Sequence, residues 1–82
     1  MPLQELKNAP KVIGLKQVKK AIDKSQVKRV YIASDAEPHV IAPIKNACTD
    51  KQIEITMVES MGLLGKACGI EVGSATVALL ID

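Results

Sequence analysis

The residues best suited to chemistry in this chain are Gly14-Leu15-Lys16-Gln17-Val18-Lys19-Lys20, and their chemistry is the binding of an anion. Lys16 and Gln17 fall in the first turn of a helix that starts after Gly14, and Lys20 lies one turn below Lys16 on the same side. Free backbone N–H groups at a helix N-terminus attract negative charge, and lysines beside them add point charges that phosphates can reach. Gln17 offers both a donor and an acceptor, so it can read a base edge while the lysines hold a backbone. Phe and Trp are absent and Tyr31 is the sole aromatic residue, which argues against a platform that stacks unpaired bases. Structured RNA, read by shape and groove edge, is the polyanion that remains.

Catalytic groupings are sparse. His39 is the only histidine and follows Pro38 at a helix start, where it reads as an exposed residue of the capping turn. Asp35 and Glu37 lie two positions apart across a turn, and favourable negative charge at a helix N-terminus explains them. Ser34 and Ser60 have no base within their segments, and Gly62, Gly65, Gly69 and Gly73 match no phosphate loop, because no Gly-Lys-Ser/Thr follows. Cys48 and Cys68 each sit in an Ala-Cys pair with no second Cys or His at metal-ligand spacing, so they read as reduced, buried, structural thiols. The expectation is a protein that is not an enzyme, with no metal, no cofactor and no small-molecule substrate.

The elements that must position the basic segment follow from hydrophobic periodicity. Lys11-Val12-Ile13 is a short apolar start. Leu15, Val18, Ala21 and Ile22 then recur at helical spacing, with Lys16, Lys19, Lys20, Asp23 and Lys24 turned outward, until Ser25-Gln26 breaks the pattern. Val27 to Ala33 predicts a strand, and Ser34-Asp35-Ala36-Glu37-Pro38 supplies a turn with a proline near the first helical turn. Val40, Ile41, Ile44, Ala47 and Cys48 carry the next helical stripe to Asp50-Lys51; Pro43 is either tolerated early in it or marks its true first turn. Ile53 to Val58 predicts a strand with Ile53, Ile55 and Met57 alternating against Glu54 and Thr56. Ser60 caps a helix bearing Met61, Leu64 and Cys68 that Gly69 closes, and Ser74 to Ile81 is an apolar run typical of a strand buried on both faces. With a short helix near Leu3 to Lys7, the order predicts one domain over residues 1–82, a three-layer α/β/α sandwich with a central sheet of about four strands.

Composition agrees with a single small domain. The 82 residues are 48% apolar, almost all of it aliphatic, which suits layered helices and strands. No stretch reaches the roughly 18 apolar residues of a membrane span, and Gln4, Glu5, Lys7 and Asn8 occupy the place of an apolar signal core, so a cytoplasmic protein without a membrane partner is expected. Charge divides along the chain. Residues 1–29 hold eight of the eleven Lys and Arg against two acids, a balance of +6, and the remainder balances to −4. Such asymmetry predicts a one-sided field and a polyanionic partner.

Two segments carry a resemblance. Gly14-Leu15-Lys16-Gln17-Val18-Lys19-Lys20-Ala21 resembles a Gly-x-Asn/Lys-Glu/Gln-x-x-Lys helix start, and the run from Met57 through Gly73 resembles a final helix and recognition loop; Ala33-Ser34-Asp35-Ala36-Glu37-Pro38 lies between them. Over nearly its whole length the chain is similar to the kink-turn-binding family of ribosomal and ribonucleoprotein proteins, most closely its small bacterial YbxF-type members. The resemblance implies an α/β/α sandwich and a ligand: RNA sharply bent at a three-nucleotide bulge beside tandem sheared G·A pairs, as found in ribosomal RNA or a riboswitch. It implies that Gly14 lets the backbone approach closely and that Lys16, Gln17 and Lys20 face the G·A pairs and neighbouring phosphates. Glu37 and Ile41 would receive the extruded nucleotide, and Ile70, Glu71 and Val72 would pack an apolar surface over the bulge. Lys16 and Gln17 replace the Asn-Glu pair of archaeal and eukaryotic relatives, as in bacterial members. Met61 stands where several relatives have lysine, and Gly62-Leu63 replaces charged residues, so fewer phosphate contacts are expected there. The alternative is a protein-interaction module that keeps the fold without RNA and pairs through Gly62-Leu63-Leu64.

Overall fold

The computed structural model describes residues 9–70 and 73–81. Four strands and three helices alternate along them: β1 (Lys11–Ile13), α1 (Leu15–Asp23), β2 (Val27–Ala33), α2 (Pro38–Lys51), β3 (Glu54–Val58), α3 (Met61–Ala67) and β4 (Thr76–Leu80). The short helix expected near Leu3 to Lys7 lies outside the described residues.

The strands form one mixed sheet in the order β1-β4-β2-β3. β4 is antiparallel to both of its neighbours, and β2 and β3 run parallel, joined by the α2 crossover. Val30, Tyr31, Ile32 and Ala33 of β2 and Thr76, Val77, Ala78 and Leu79 of β4 are all buried, so successive side chains are covered on either face of the two central strands. α1 and α2 pack on each other, while α3 packs on β2, β3 and β4. The result is the expected α/β/α sandwich.

Each helix forms for a reason visible in its residues. In α1, Val18, Ala21 and Ile22 are buried and all four charged positions, with the capping Lys24, face solvent, as their spacing predicts. α2 starts at Pro38, which fixes φ where the helix needs no amide donor. Pro43 is therefore an internal residue and not the first turn, and it denies the His39 carbonyl its usual donor. α3 is capped by Ser60, whose hydroxyl accepts the Leu63 amide at 3.1 Å.

All three helices end in the same hydrogen-bonded turn. The Gln26, Ile53 and Ile70 amides reach back to the carbonyls of Ala21, Cys48 and Gly65, respectively. The left-handed residue each turn requires is Ser25 (φ 56°), Gln52 (φ 58°) or Gly69 (φ 82°).

Some boundaries and faces differ from expectation. β3 begins at Glu54 and β4 spans Thr76–Leu80, shorter than Ile53 to Val58 and Ser74 to Ile81. Met57 is 45% exposed and Val58 is buried, which reverses the inward face at the end of β3. β3 is an edge strand, so neither of its faces is fully covered and alternation fixes the inward side only weakly. Met61 is also exposed, as the first residue of α3.

Candidate nucleic-acid interface

The strand directions bring the catalogued segments together. Ile13 is paired with Val77, Ile32 with Thr76, and Ala33 with Val58. The C-terminal ends of β1, β2 and β3 and the N-terminal end of β4 therefore share one end of the sheet. From that end spring Gly14 and α1, the Ser34–Glu37 turn and α2, Ser60 and α3, and the chain entering β4.

Hydrogen bonds hold these segments side by side. The Gly14 amide donates to the Thr76 carbonyl at 3.1 Å, and the Ala33 and Ser34 amides donate to Ala75 and Val58 at 2.9 and 2.7 Å. Asp35 does not act at the start of its own helix. Its Oδ1 accepts the Met61 amide at 2.8 Å, placing the carboxylate at the N-terminus of α3. Ser74 donates its amide to the Met61 carbonyl at 3.1 Å. A Cβ at Gly73 would lie 3.2 Å from Met61 backbone and side-chain carbon, tighter than ordinary contact, so any larger residue would push Met61 back by a few tenths of an ångström.

Gly14 has φ 103° and ψ 153°, a region essentially closed to other residues. A Cβ there would meet nothing within 4 Å, so conformation and not crowding dictates glycine. Lys16, Gln17 and Lys20 are exposed. Lys16 and Lys20 line a groove of about 480 Å³ between α1 and α2, floored by Leu15, Val40, Pro43 and Ile44. Gln17 and Lys20 border a smaller depression of about 120 Å³ on the other flank of α1, so Lys20 stands on the ridge between them. Lys19 is engaged with Asp23 at 2.9 Å, whereas Lys16 and Lys20 carry no ion pair among the described residues.

At the start of α2, the exposed Glu37 carboxylate lies 3.2 Å from His39 Nε2. Ile41 faces the sheet and is only 4% exposed, so it underlies the surface instead of forming it. Ile70 is half-buried against the core. Glu71 and Val72 lie outside the described residues. Of the surface offered for protein pairing, Leu64 is fully buried core, leaving Leu63 exposed beside Gly62.

The basic residues do not form one face. Lys28 and Arg29 open β2 at the opposite end of the sheet, near Leu79 and Leu80, and Lys24 ends α1 there. Arg29, hydrogen-bonded to Tyr31 and to Glu54 at 3.1 Å, is held still more firmly in its charged form. Lys51 donates to Ser25 Oγ at 3.1 Å. The charge balance of the first 29 residues thus splits between two ends, and the exposed lysines near Gly14 are Lys16, Lys19 and Lys20.

Cys48 and Cys68 are free and buried, and burial pushes both thiols up from their ordinary pKa. Among the described residues no group of three or more His, Cys, Asp or Glu could hold a metal ion, and no helix is long and apolar enough to cross a membrane.

Residues 3–82 match the model of the Ribosomal protein L7Ae/L30e/S12e/Gadd45 family. The chain belongs to this family. Among its L7Ae-family relatives, an RNA-binding protein of Halalkalibacterium halodurans is 54% identical over 68 residues, 83% of each chain. The RNA-binding protein YbxF of Geobacillus stearothermophilus is 41% identical over 69 residues, 84% of each chain. A solved structure from Bacillus halodurans C, described as a protein with unknown function, superposes with a TM-score of 0.88 at 27% identity, covering 98% of this chain and 84% of that one. The L7Ae-family fold is therefore the frame on which the Gly14 segment, the turn before α2, the start of α3 and the chain entering β4 meet.

Proposed function

We propose that this chain is a non-catalytic, cytoplasmic RNA-binding protein that recognises and stabilises kink-turn RNA, on the ribosome or as an accessory to a regulatory RNA. The observation that carries the reading is the convergence of the Gly14–Lys20 segment, the turn leading to Glu37, the start of α3 and the chain entering β4 on one end of the sheet. Its support from relatives is that proteins 41% and 54% identical are named RNA-binding proteins.

In this reading the open space at Gly14 admits the RNA backbone, Gln17 addresses the edges of the sheared G·A pairs, and Lys16 and Lys20 hold the neighbouring phosphates. Glu37 receives the extruded nucleotide through its carboxylate, with buried Ile41 as the floor beneath. Ile70, Glu71 and Val72 cover the bulge. An extruded base has lost its stacking partners, so an aliphatic surface shields it while charges clamp the converging backbones. The protein stabilises the bent RNA by binding it better than the straight form.

Titration of a kink-turn RNA and a straight duplex at two salt concentrations tests this. Tighter, salt-dependent binding of the kink-turn is expected. Equal affinity for both RNAs would reject kink-turn specificity, and no salt-dependent binding of either would favour the protein-interaction alternative.

A further inference from the structure

One chain of hydrogen bonds threads the segments gathered at this end of the sheet. Asp35 Oδ1, in the turn between β2 and α2, accepts the Met61 amide at 2.8 Å. The Met61 carbonyl accepts the Ser74 amide at 3.1 Å. The Ser74 hydroxyl donates to the Thr76 carbonyl at 2.8 Å, and that same carbonyl accepts the Gly14 amide at 3.1 Å. The path links the start of α2, the start of α3, the chain after α3 and the opening of α1.

Neither side chain on this path is placed there by generic needs. Ser74 is 6% exposed and, with Thr76, is a buried polar residue in a mostly apolar run, and a buried hydroxyl is costly unless its bond is made. Asp35 carries negative charge close to a surface read as binding a polyanion, where charge alone would repel the ligand. The hydrogen bond it accepts accounts for its presence. Close packing of Gly73 on Met61 removes slack from the same junction.

We propose that Asp35 and Ser74 are positioning residues for RNA recognition, fixing the Gly14 helix opening relative to the segment after α3 without touching RNA. This rests on the reading of the surface as an RNA site. Two segments that must grip one bent ligand bind it more tightly when their spacing is set in advance, because ordering them is not charged against the complex. Losing the Asp35 or the Ser74 side-chain bond loosens this junction at Met61 or at Thr76, while the backbone bonds and Lys16, Gln17 and Lys20 stay in place.

The test compares kink-turn RNA affinity for wild type, Asp35→Ala, Asp35→Asn, Ser74→Ala and Leu79→Val, with thermal stability recorded for each. Leu79 is buried toward the far end of β4 and serves as a destabilised control. Asp35→Ala and Ser74→Ala are expected to weaken binding about fivefold to tenfold. The salt dependence should keep its slope, since no phosphate contact is lost. Asp35→Asn, whose side-chain carbonyl can accept the same amide, should bind within about twofold of wild type, and the double alanine variant should lose less than the two single losses combined.

The proposal is overturned if Asp35→Asn binds as poorly as Asp35→Ala, if both alanine variants bind like wild type, or if Leu79→Val weakens binding as much as Ser74→Ala. Those outcomes leave RNA binding by the wild type intact. A wild type that does not distinguish kink-turn from duplex removes the parent reading instead.

Discussion

Gly14 and Thr76 are joined by a single 3.1 Å amide-to-carbonyl hydrogen bond, which pins the first basic helix to the strand that follows the last one. Residues far apart in sequence thereby border one surface. Because Gly14 donates from a backbone conformation that side chains disfavour, the contact depends on the absence of a Cβ.

Gly14→Ala is expected to cost about 1–3 kcal/mol of stability from backbone strain alone. Urea denaturation measures that loss, and titration of kink-turn RNA should register weaker binding under conditions where the variant is folded. An unchanged denaturation midpoint would contradict the strain assigned to this residue.

Lys20→Ala should weaken kink-turn binding by roughly 1–3 kcal/mol if the lysine reaches a base edge, and should lower the salt slope by about one unit if it reaches a phosphate. Lys28→Ala, at the other end of the sheet, should do neither. Equal effects from the two substitutions would move the interface away from the Gly14 end.

Ser25 and Gln52 occupy left-handed positions that glycine adopts without a steric penalty. Ser25→Gly and Gln52→Gly should each stabilise the fold by about 0.5–1 kcal/mol in thermal or urea unfolding, the gain being reduced by glycine's greater freedom in the unfolded chain. Ser25 also forfeits its contact with Lys51, so Gln52→Gly should gain more.

Burial raises the Cys48 thiol from its ordinary pKa of 9.0. The folded chain then holds this proton more tightly than the unfolded chain, and the stabilisation is complete below pH 9.0 and lost as pH climbs through the folded value. Stability measured across about pH 8 to 10 should fall more steeply for wild type than for Cys48→Ala. Parallel curves would show that Cys48 does not drive the decline.

Much of this was legible in the residues. The spacing of Val18, Ala21 and Ile22, the cap at Ser60 and the closing Gly69 are local signals, and each element they predict is present. The family resemblance carried by Gly14–Ala21 and Met57–Gly73 agrees with the family match. What escaped depends on partners distant in sequence. Asp35 looked like a charge for its own helix, but its acceptor role belongs to Met61, 26 positions away. Ser74 read as the first residue of a strand, and only the fold supplies the carbonyl its hydroxyl bonds. Likewise, Lys16 and Lys28 are close in sequence, yet a helix and a reversal of direction set them at opposite ends. Met57 followed the pleat but not the cover, because an edge strand has less to pack against.

The sheet order has a further consequence for how the molecule comes into being. β4, the last strand in sequence, lies between β1 and β2, so neither of those earlier strands has its shared neighbour until residues 76–80 have been synthesised. A nascent chain can pair β2 with β3 early, but β1 has no partner in the sheet until β4 arrives, so the Gly14 helix start and the β4 segment come into register in the same late event. Translation must deliver residues 76–80 before the surface exists at all.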